Sequence, residues 1–127
     1  MKTAIIGLGV IGKVHYQVLQ ELSNAPVAIC DVDESKMDGY VGARFTDYRK
    51  MIDEIKPDVV HICTPHYLHA EMIVYALERN VNVLCEKPLC ISREQIEQVL
   101  FAERNSQAIL GVCHQNRYLP SNVFAKQ

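Results

Sequence analysis

Three glycines, Gly7, Gly9 and Gly12, fit the spacing G-x-G-x-x-G inside "IIGLGVIGKVH". A strand-like apolar run precedes them and an amphipathic run follows, the context a dinucleotide-binding turn requires. Gly7 permits the tight turn, Gly9 lets a pyrophosphate approach bare backbone, and Gly12 lets the helix pack closely on the sheet. The amides near Val10 and Ile11 then face the phosphates at the positive end of the helix. Asp31 ends the second apolar run, at the distance where a carboxylate accepts hydrogen bonds from a ribose 2′-OH. The same charge repels the extra phosphate of NADP, so NAD is the favoured cofactor and NADP the less favoured one. Asp33 is a rival for the ribose, although it lies two residues beyond the strand end. FAD stays open as a third dinucleotide, with nothing later in the chain to support it.

Three further polar clusters close apolar runs: "CTPHYLH", "CEKPL" and "HQNRY". In an open α/β sheet the strand exits form one rim, so these sequence-distant groups come together there. Thr64, Pro65 and His66 form a turn that borders a cofactor, with Thr64 able to donate to a phosphate or ribose. His66 and His69 share roughly one helical face, and His61 and Cys63 stand close in sequence, which raises a metal site. His61 and Cys63 lie inside a strand, however, while the other two lie past its turn, so no metal is assigned. His69 reads as a structural, hydrogen-bonding histidine. Glu86 and Lys87 precede Pro88, which restrains the residue before it and so fixes where Lys87 points. Lys87 is the candidate catalytic residue, able to bind a substrate hydroxyl or carbonyl and assist proton transfer. Glu86, placed on the cofactor side, either orients Lys87 or holds the local turn. Gln115, Asn116 and Arg117 are exposed donors whose partner is cofactor, substrate or a neighbouring segment.

The elements that must position these residues alternate. "KTAII", "PVAICD", "PDVVHICT", "NVNVLCE" and "AILGVCHQ" read as strands, with a weaker one at 43–45. Most are apolar on both faces, as strands of a covered parallel sheet are. Between them, Val14, Val18, Leu19 and Leu22 form one helical stripe, and Ala70, Ile73, Val74 and Leu77 another. Ser92 and Gln95 form a capping box, with Ile91 and Ile96 as a hydrophobic staple and Val99 and Leu100 continuing the buried side. "DYRKMIDEI" is a shorter helix. The order predicts a doubly wound α/β fold with a mostly parallel, Rossmann-type sheet and right-handed crossovers.

At 127 residues the chain suits one domain, and a formal net charge of -2 gives no broad basic field for nucleic acid or an acidic membrane. No run is long enough to span a bilayer, and the glycine-broken start has no cleavage-site pattern, so the cytoplasm is the expected compartment. The five cysteines are an odd set without a close CxxC pair and read as core thiols.

Together, "GLGVIGKVH", "CTPHYLH", "CEKPL" and "QNRY" resemble the glucose-fructose oxidoreductase/inositol dehydrogenase/rhizopine-catabolism (Gfo/Idh/MocA) family over essentially the whole chain. The glycines alone are common, but their ordered combination with "EKP" is specific. The resemblance implies that Gly7, Gly9, Gly12 and Asp31 bind NAD, and that Thr64, Pro65 and His66 form the loop beside it. His66 stands where many members carry Asn. Lys87 matches the family lysine that positions substrate near the nicotinamide, Glu86 its supporting carboxylate, and His15 the common "GxxH" ending. Pro88 matches a position that carries a cis bond in many members.

The resemblance also implies a second, C-terminal substrate domain, absent here, that supplies most substrate contacts, a catalytic histidine and commonly a homo-oligomer interface. His114 is not that histidine. The expected layout is a dinucleotide-binding domain over 1–118, with 119–127 starting the connection. The whole protein is expected to be an NAD-dependent oxidoreductase for a sugar, cyclitol or related polyhydroxy substrate, the isolated chain being inactive. The alternative is a non-catalytic dinucleotide-binding regulatory or interaction domain.

Overall fold

The computed structural model describes residues 1–126. Six strands form one wholly parallel sheet: β1 (Thr3–Ile6), β2 (Ala28–Cys30), β3 (Ala43–Phe45), β4 (Val59–Ile62), β5 (Asn82–Cys85) and β6 (Leu110–Val112). Their order across the sheet is β3-β2-β1-β4-β5-β6. That is the doubly wound dinucleotide-fold order, and it places the reversal of direction between β1 and β4. The helices are α1 (Val10–Glu21), α2 (Tyr48–Ile55), α3 (His69–Leu77), α4 (Arg93–Arg104) and a short α5 (Pro120–Phe124). Single 3-10 turns lie at Glu34–Met37, His66–Leu68 and Gln115–Tyr118.

Register brings the strand exits level. Ile6 lies opposite Cys30 on one side and Ile62 on the other, and Ile62 lies opposite Cys85. The ladder runs one residue further at each exit: Gly7 N–H donates to Cys30 O (2.8 Å), Cys63 N–H to Ile6 O (2.8 Å), Glu86 N–H to Ile62 O (3.0 Å) and Cys113 N–H to Cys85 O (2.9 Å). Gly7, Cys63, Glu86 and Cys113 are therefore ranked side by side along one rim, with Asp31 bonded to the Phe45 carbonyl at the neighbouring exit (3.2 Å).

The larger apolar layer joins Ile6, Ile62, Val83 and Cys85 to Met51, Ile52, Ile73 and Leu77 from α2 and α3 and to Val99 from α4. The smaller layer joins Ile5, Leu8, Ile29 and Cys63 to Tyr16 and Leu19 of α1. Burying each such aliphatic side chain contributes about 1.5–3 kcal/mol. The predicted α3 stripe packs as read, with Ala70, Ile73 and Leu77 buried and Val74 half-buried.

The α1 stripe does not. Val14, Val18 and Leu22 face outward, at 47, 45 and 69 % exposure, and Leu19 is buried with Gly12 and Tyr16. The reason is Tyr16, whose hydroxyl accepts the Val41 N–H (2.9 Å) and whose ring stands edge-on to Tyr40. Those long-range contacts turn the tyrosine side of the helix inward. At α4 the cap forms as predicted, Ser92 Oγ accepting the Gln95 N–H (3.3 Å), while Gln95 Oε1 accepts from Ile91 N–H (3.0 Å). The predicted staple pair, Ile91 and Ile96, sits at the surface, and Leu100 is exposed where Ala102 takes the buried position beside Val99. All five cysteines are free thiols, with Cys30, Cys63 and Cys85 buried and Cys90 and Cys113 half-buried. Among the described residues no helix is long and apolar enough to cross a membrane.

Candidate functional site

The turn from β1 into α1 is built from close backbone approaches. Gly7 has φ +90°, which favours glycine, and a Cβ there would lie 2.8 Å from the Cys63 carbonyl oxygen. A Cβ on Gly12 would overlap the Gly7 carbonyl oxygen. Gly12 therefore brings the helix against the turn itself, a tighter contact than the helix-on-sheet packing expected from sequence. Gly9 differs from both, since a Cβ there would meet nothing within 4 Å. It caps α1 and borders an open cleft of about 520 Å³. The first-turn amides of Val10 and Ile11 have no acceptor inside the helix, and both residues line the same cleft.

Asp31 lies across that cleft and is 8 % exposed. Its Oδ2 accepts the Leu8 N–H (2.8 Å) and its Oδ1 the Asp33 N–H (3.0 Å), so the carboxylate is clamped to the glycine turn. Each oxygen keeps a further lone pair for a ligand hydroxyl. Lys36 Nζ stands 3.7 Å from Oδ1. Asp33, the rival carboxylate, is committed elsewhere: its Oδ1 takes the Ser35 N–H (3.1 Å) and hydroxyl (2.6 Å), which hold its carboxyl below the usual range.

Thr64 and Pro65 also line the cleft, and the Thr64 hydroxyl donates to the Met72 thioether (3.4 Å). His66 does not line it; the exposed His66 begins a 3-10 turn whose next two residues, Tyr67 and Leu68, do. His69 is fully buried, its ring nitrogens 2.9 Å from Pro88 O and 3.0 Å from Thr64 O. It thereby ties the cleft turn to the Lys87–Pro88 turn, where the peptide bond is cis.

Glu86 and Lys87 lie on the rim outside the cleft lining. Lys87 is exposed, whereas Glu86 is 8 % exposed and its carboxylate is hydrogen-bonded from two sides. His15 Nε2 stands 3.0 Å from Glu86 Oε1, Lys87 N–H donates to Oε2 (3.3 Å), and the Cys113 sulfur lies within 4.8 Å of the carboxylate. Burial raises the Glu86 carboxyl, but the His15 and Lys87 hydrogen bonds outweigh it and hold it below its ordinary value. Burial, followed by the Glu86 charge, pushes the Cys113 thiol up to about 11. His15 Nδ1 meets His61 Nδ1 at 3.0 Å, so these two atoms share one proton. Burial, then the proximity of His15, lowers His61 to about 4. His15, Glu86 and Cys113 bring donor atoms within 4.8 Å of one another, a grouping able to hold a metal, in which His15 and Glu86 are already hydrogen-bonded to each other.

Seven of the ten residues read as cofactor-binding thus line one cleft: Gly7, Gly9, Val10, Ile11, Asp31, Thr64 and Pro65. Gly12 supports the turn from behind, and His66, Glu86 and Lys87 stand beside the cleft. Lys36 and Tyr67 line it without having been singled out from sequence. Tyr67 sits within the quoted "CTPHYLH" cluster, while nothing local to Lys36 signals its approach to Asp31.

The pattern of the GFO_IDH_MocA family, described as "Oxidoreductase family, NAD-binding Rossmann fold", matches residues 1–114. The chain belongs to the Gfo/Idh/MocA family. Two relatives align over 93% of it: the uncharacterized oxidoreductase YrbE of Bacillus subtilis, at 32% identity, and the inositol 2-dehydrogenase of Salmonella typhimurium, at 31%. The chain spans 36% and 38% of their lengths. A crystal structure of the WlbA (WbpB) dehydrogenase of Thermus thermophilus with NAD and UDP-GlcNAcA superposes with a TM-score of 0.86 at 26% identity, covering 99% of this chain and 46% of that one. The glycine turn of this Gfo/Idh/MocA domain therefore belongs to a Rossmann fold that its family uses for NAD.

Proposed function

We propose that residues 1–118 form the dinucleotide-binding domain of an NAD-dependent oxidoreductase acting on a polyhydroxy substrate such as a sugar or cyclitol, with 119–127 leading towards a substrate domain. The observation that carries this reading is the pairing across one cleft of an unobstructed Gly9 with a clamped, buried Asp31. Uncovered backbone beside free helix amides fits a diphosphate, and a carboxylate with spare lone pairs fits a ribose diol.

Gly9, Val10 and Ile11 hold the phosphates, Asp31 orients the ribose, and Thr64 and Pro65 wall the cleft. When bound, the nicotinamide cofactor supplies the hydride acceptor or donor. Lys87 contacts the substrate oxygen whose proton must leave as an alcohol is oxidised, or return as a carbonyl is reduced. Glu86, held by His15, supports Lys87 through the backbone N–H and not through the ammonium. The inositol 2-dehydrogenase relative supports the substrate class by analogy.

Isothermal titration with NADH tests the core of it. Saturable binding by the wild type, weakened about tenfold in Asp31→Ala, supports the reading. A folded wild-type chain without NADH affinity contradicts it.

A further inference from the structure

The rim outside the Gly9–Asp31 cleft holds a second set of chemistry-bearing side chains, independent of the dinucleotide reading. We propose that His15, Glu86 and Cys113 form a zinc-binding site at the exits of β5 and β6, with the fourth position on the metal left open. Their ligand atoms, one nitrogen, one oxygen and one sulfur, lie within 4.8 Å of one another. Zinc takes this mixture of donors in four-coordinate sites, whereas magnesium, calcium and manganese are suited by oxygen ligands. None of the three residues lines the Gly9–Asp31 cleft.

Three separate elements deliver the ligands. Glu86 and Cys113 each extend the sheet ladder by one residue, Glu86 N–H donating to Ile62 O (3.0 Å) and Cys113 N–H to Cys85 O (2.9 Å). Their backbones are thus fixed on neighbouring strand ends before a metal arrives. His15 comes from α1, with its side chain 12% exposed and that of Glu86 10%. Little water competes there, and an ionic contact is stronger than at an open surface. Across a tetrahedral zinc, neighbouring ligand atoms stand roughly 3.3–3.6 Å apart. The 3.0 Å between His15 Nε2 and Glu86 Oε1 needs only to widen slightly, and the half-buried Cys113 to draw inward.

Two of the ligands also have the outer partner that orients a metal ligand. His15 Nδ1 lies 3.0 Å from His61 Nδ1, and Glu86 Oε2 accepts the Lys87 N–H (3.3 Å), which leaves Oε1 for the cation. On binding, the imidazole pair keeps its two protons. The one between the rings stays with His15, freeing Nε2 for the metal, and His61 carries its own at Nε2. Cys113 binds as thiolate and its proton goes to solvent. The carboxylate and thiolate then balance the double charge of zinc, and the fourth position takes water or an oxygen of a small ligand.

Titration of the full chain, kept reduced and stripped of metal by a chelator, with Zn²⁺ and with Co²⁺ as its spectroscopic substitute tests this. Calorimetry is expected to show one saturable Zn²⁺ site, and Co²⁺ to add a thiolate charge-transfer band in the near ultraviolet. Cys113→Ala is expected to remove that band and to weaken Zn²⁺ by at least about tenfold. Glu86→Gln is expected to weaken Zn²⁺ by a similar factor of about ten. Cys90→Ala, which removes the other half-buried thiol, is expected to leave band and affinity unchanged. Thermal unfolding checks that each variant folds, and Cys113→Ala decides the matter if Glu86→Gln does not. A folded wild type that binds neither ion, a band that survives Cys113→Ala, or one that disappears in Cys90→Ala overturns the site.

Discussion

Gly9→Ala separates binding from folding at the one glycine where the two come apart. Gly9 has φ -68° and ψ -165°, extended backbone that alanine adopts freely, and an added methyl meets no atom within 4 Å. Stability is therefore expected to change by no more than about 0.5 kcal/mol. The methyl does stand in the cleft where the backbone is left bare for a diphosphate, so NADH affinity should fall at least about tenfold, or ~1.4 kcal/mol. Gly12→Ala is the converse. Its Cβ would overlap the Gly7 carbonyl, so the helix must shift, and overpacking of that kind costs about 1–3 kcal/mol or more. For a domain of this size that lowers Tm by roughly 4–12 °C. Thermal unfolding by circular dichroism and calorimetric NADH titration read the two quantities separately. A Gly9→Ala protein that unfolds like wild type and binds NADH equally well would refute the claim that this open backbone is the phosphate seat.

Stability should fall with acid through His61. Its folded pKa, about 4, lies below its ordinary 6.5, so the folded state disfavours the proton. The contribution is whole above pH 6.5 and is lost as pH falls from there through about 4; it amounts to ~3 kcal/mol. His61→Gln should flatten the pH dependence of Tm across that window, and an unaltered slope would remove His61 as its source. Ser92→Ala deletes the α4 cap and should cost about 1 kcal/mol with NADH affinity intact, measured by urea unfolding. In a longer protein that turns over substrate, Lys87→Ala should lower kcat at least about a hundredfold while NADH affinity stays within about twofold. A matching loss of NADH affinity would make Lys87 a cofactor residue.

The fold was legible because both-face apolar runs and glycine punctuation are local signals. Even the weakly read strand at 43–45 forms, since β2 offers a paired edge at Ala28, Ile29 and Cys30. The inward face of α1 was not legible from its aliphatic stripe. Tyr16 reaches Val41, 25 residues away, and that contact outranks Val14 and Val18. The glycine turn and Asp31 could be read because their spacing reports one β-α-β unit. The His61–His15–Glu86 chain joins residues 46 and 71 positions apart, and it exists only once α1 packs across the exits of β4 and β5. Lys36 escaped notice because its approach to Asp31 depends on how the 3-10 turn at Glu34–Met37 folds back over the strand end.

An amide-resolved NMR titration with NADH reports most directly on where the diphosphate sits. The account predicts saturable shifts concentrated at the amides of Gly9, Val10, Ile11 and Asp31, with those of α4 unmoved. Saturable binding whose shifts fall elsewhere on the molecule, leaving the Gly9 turn silent, would contradict it.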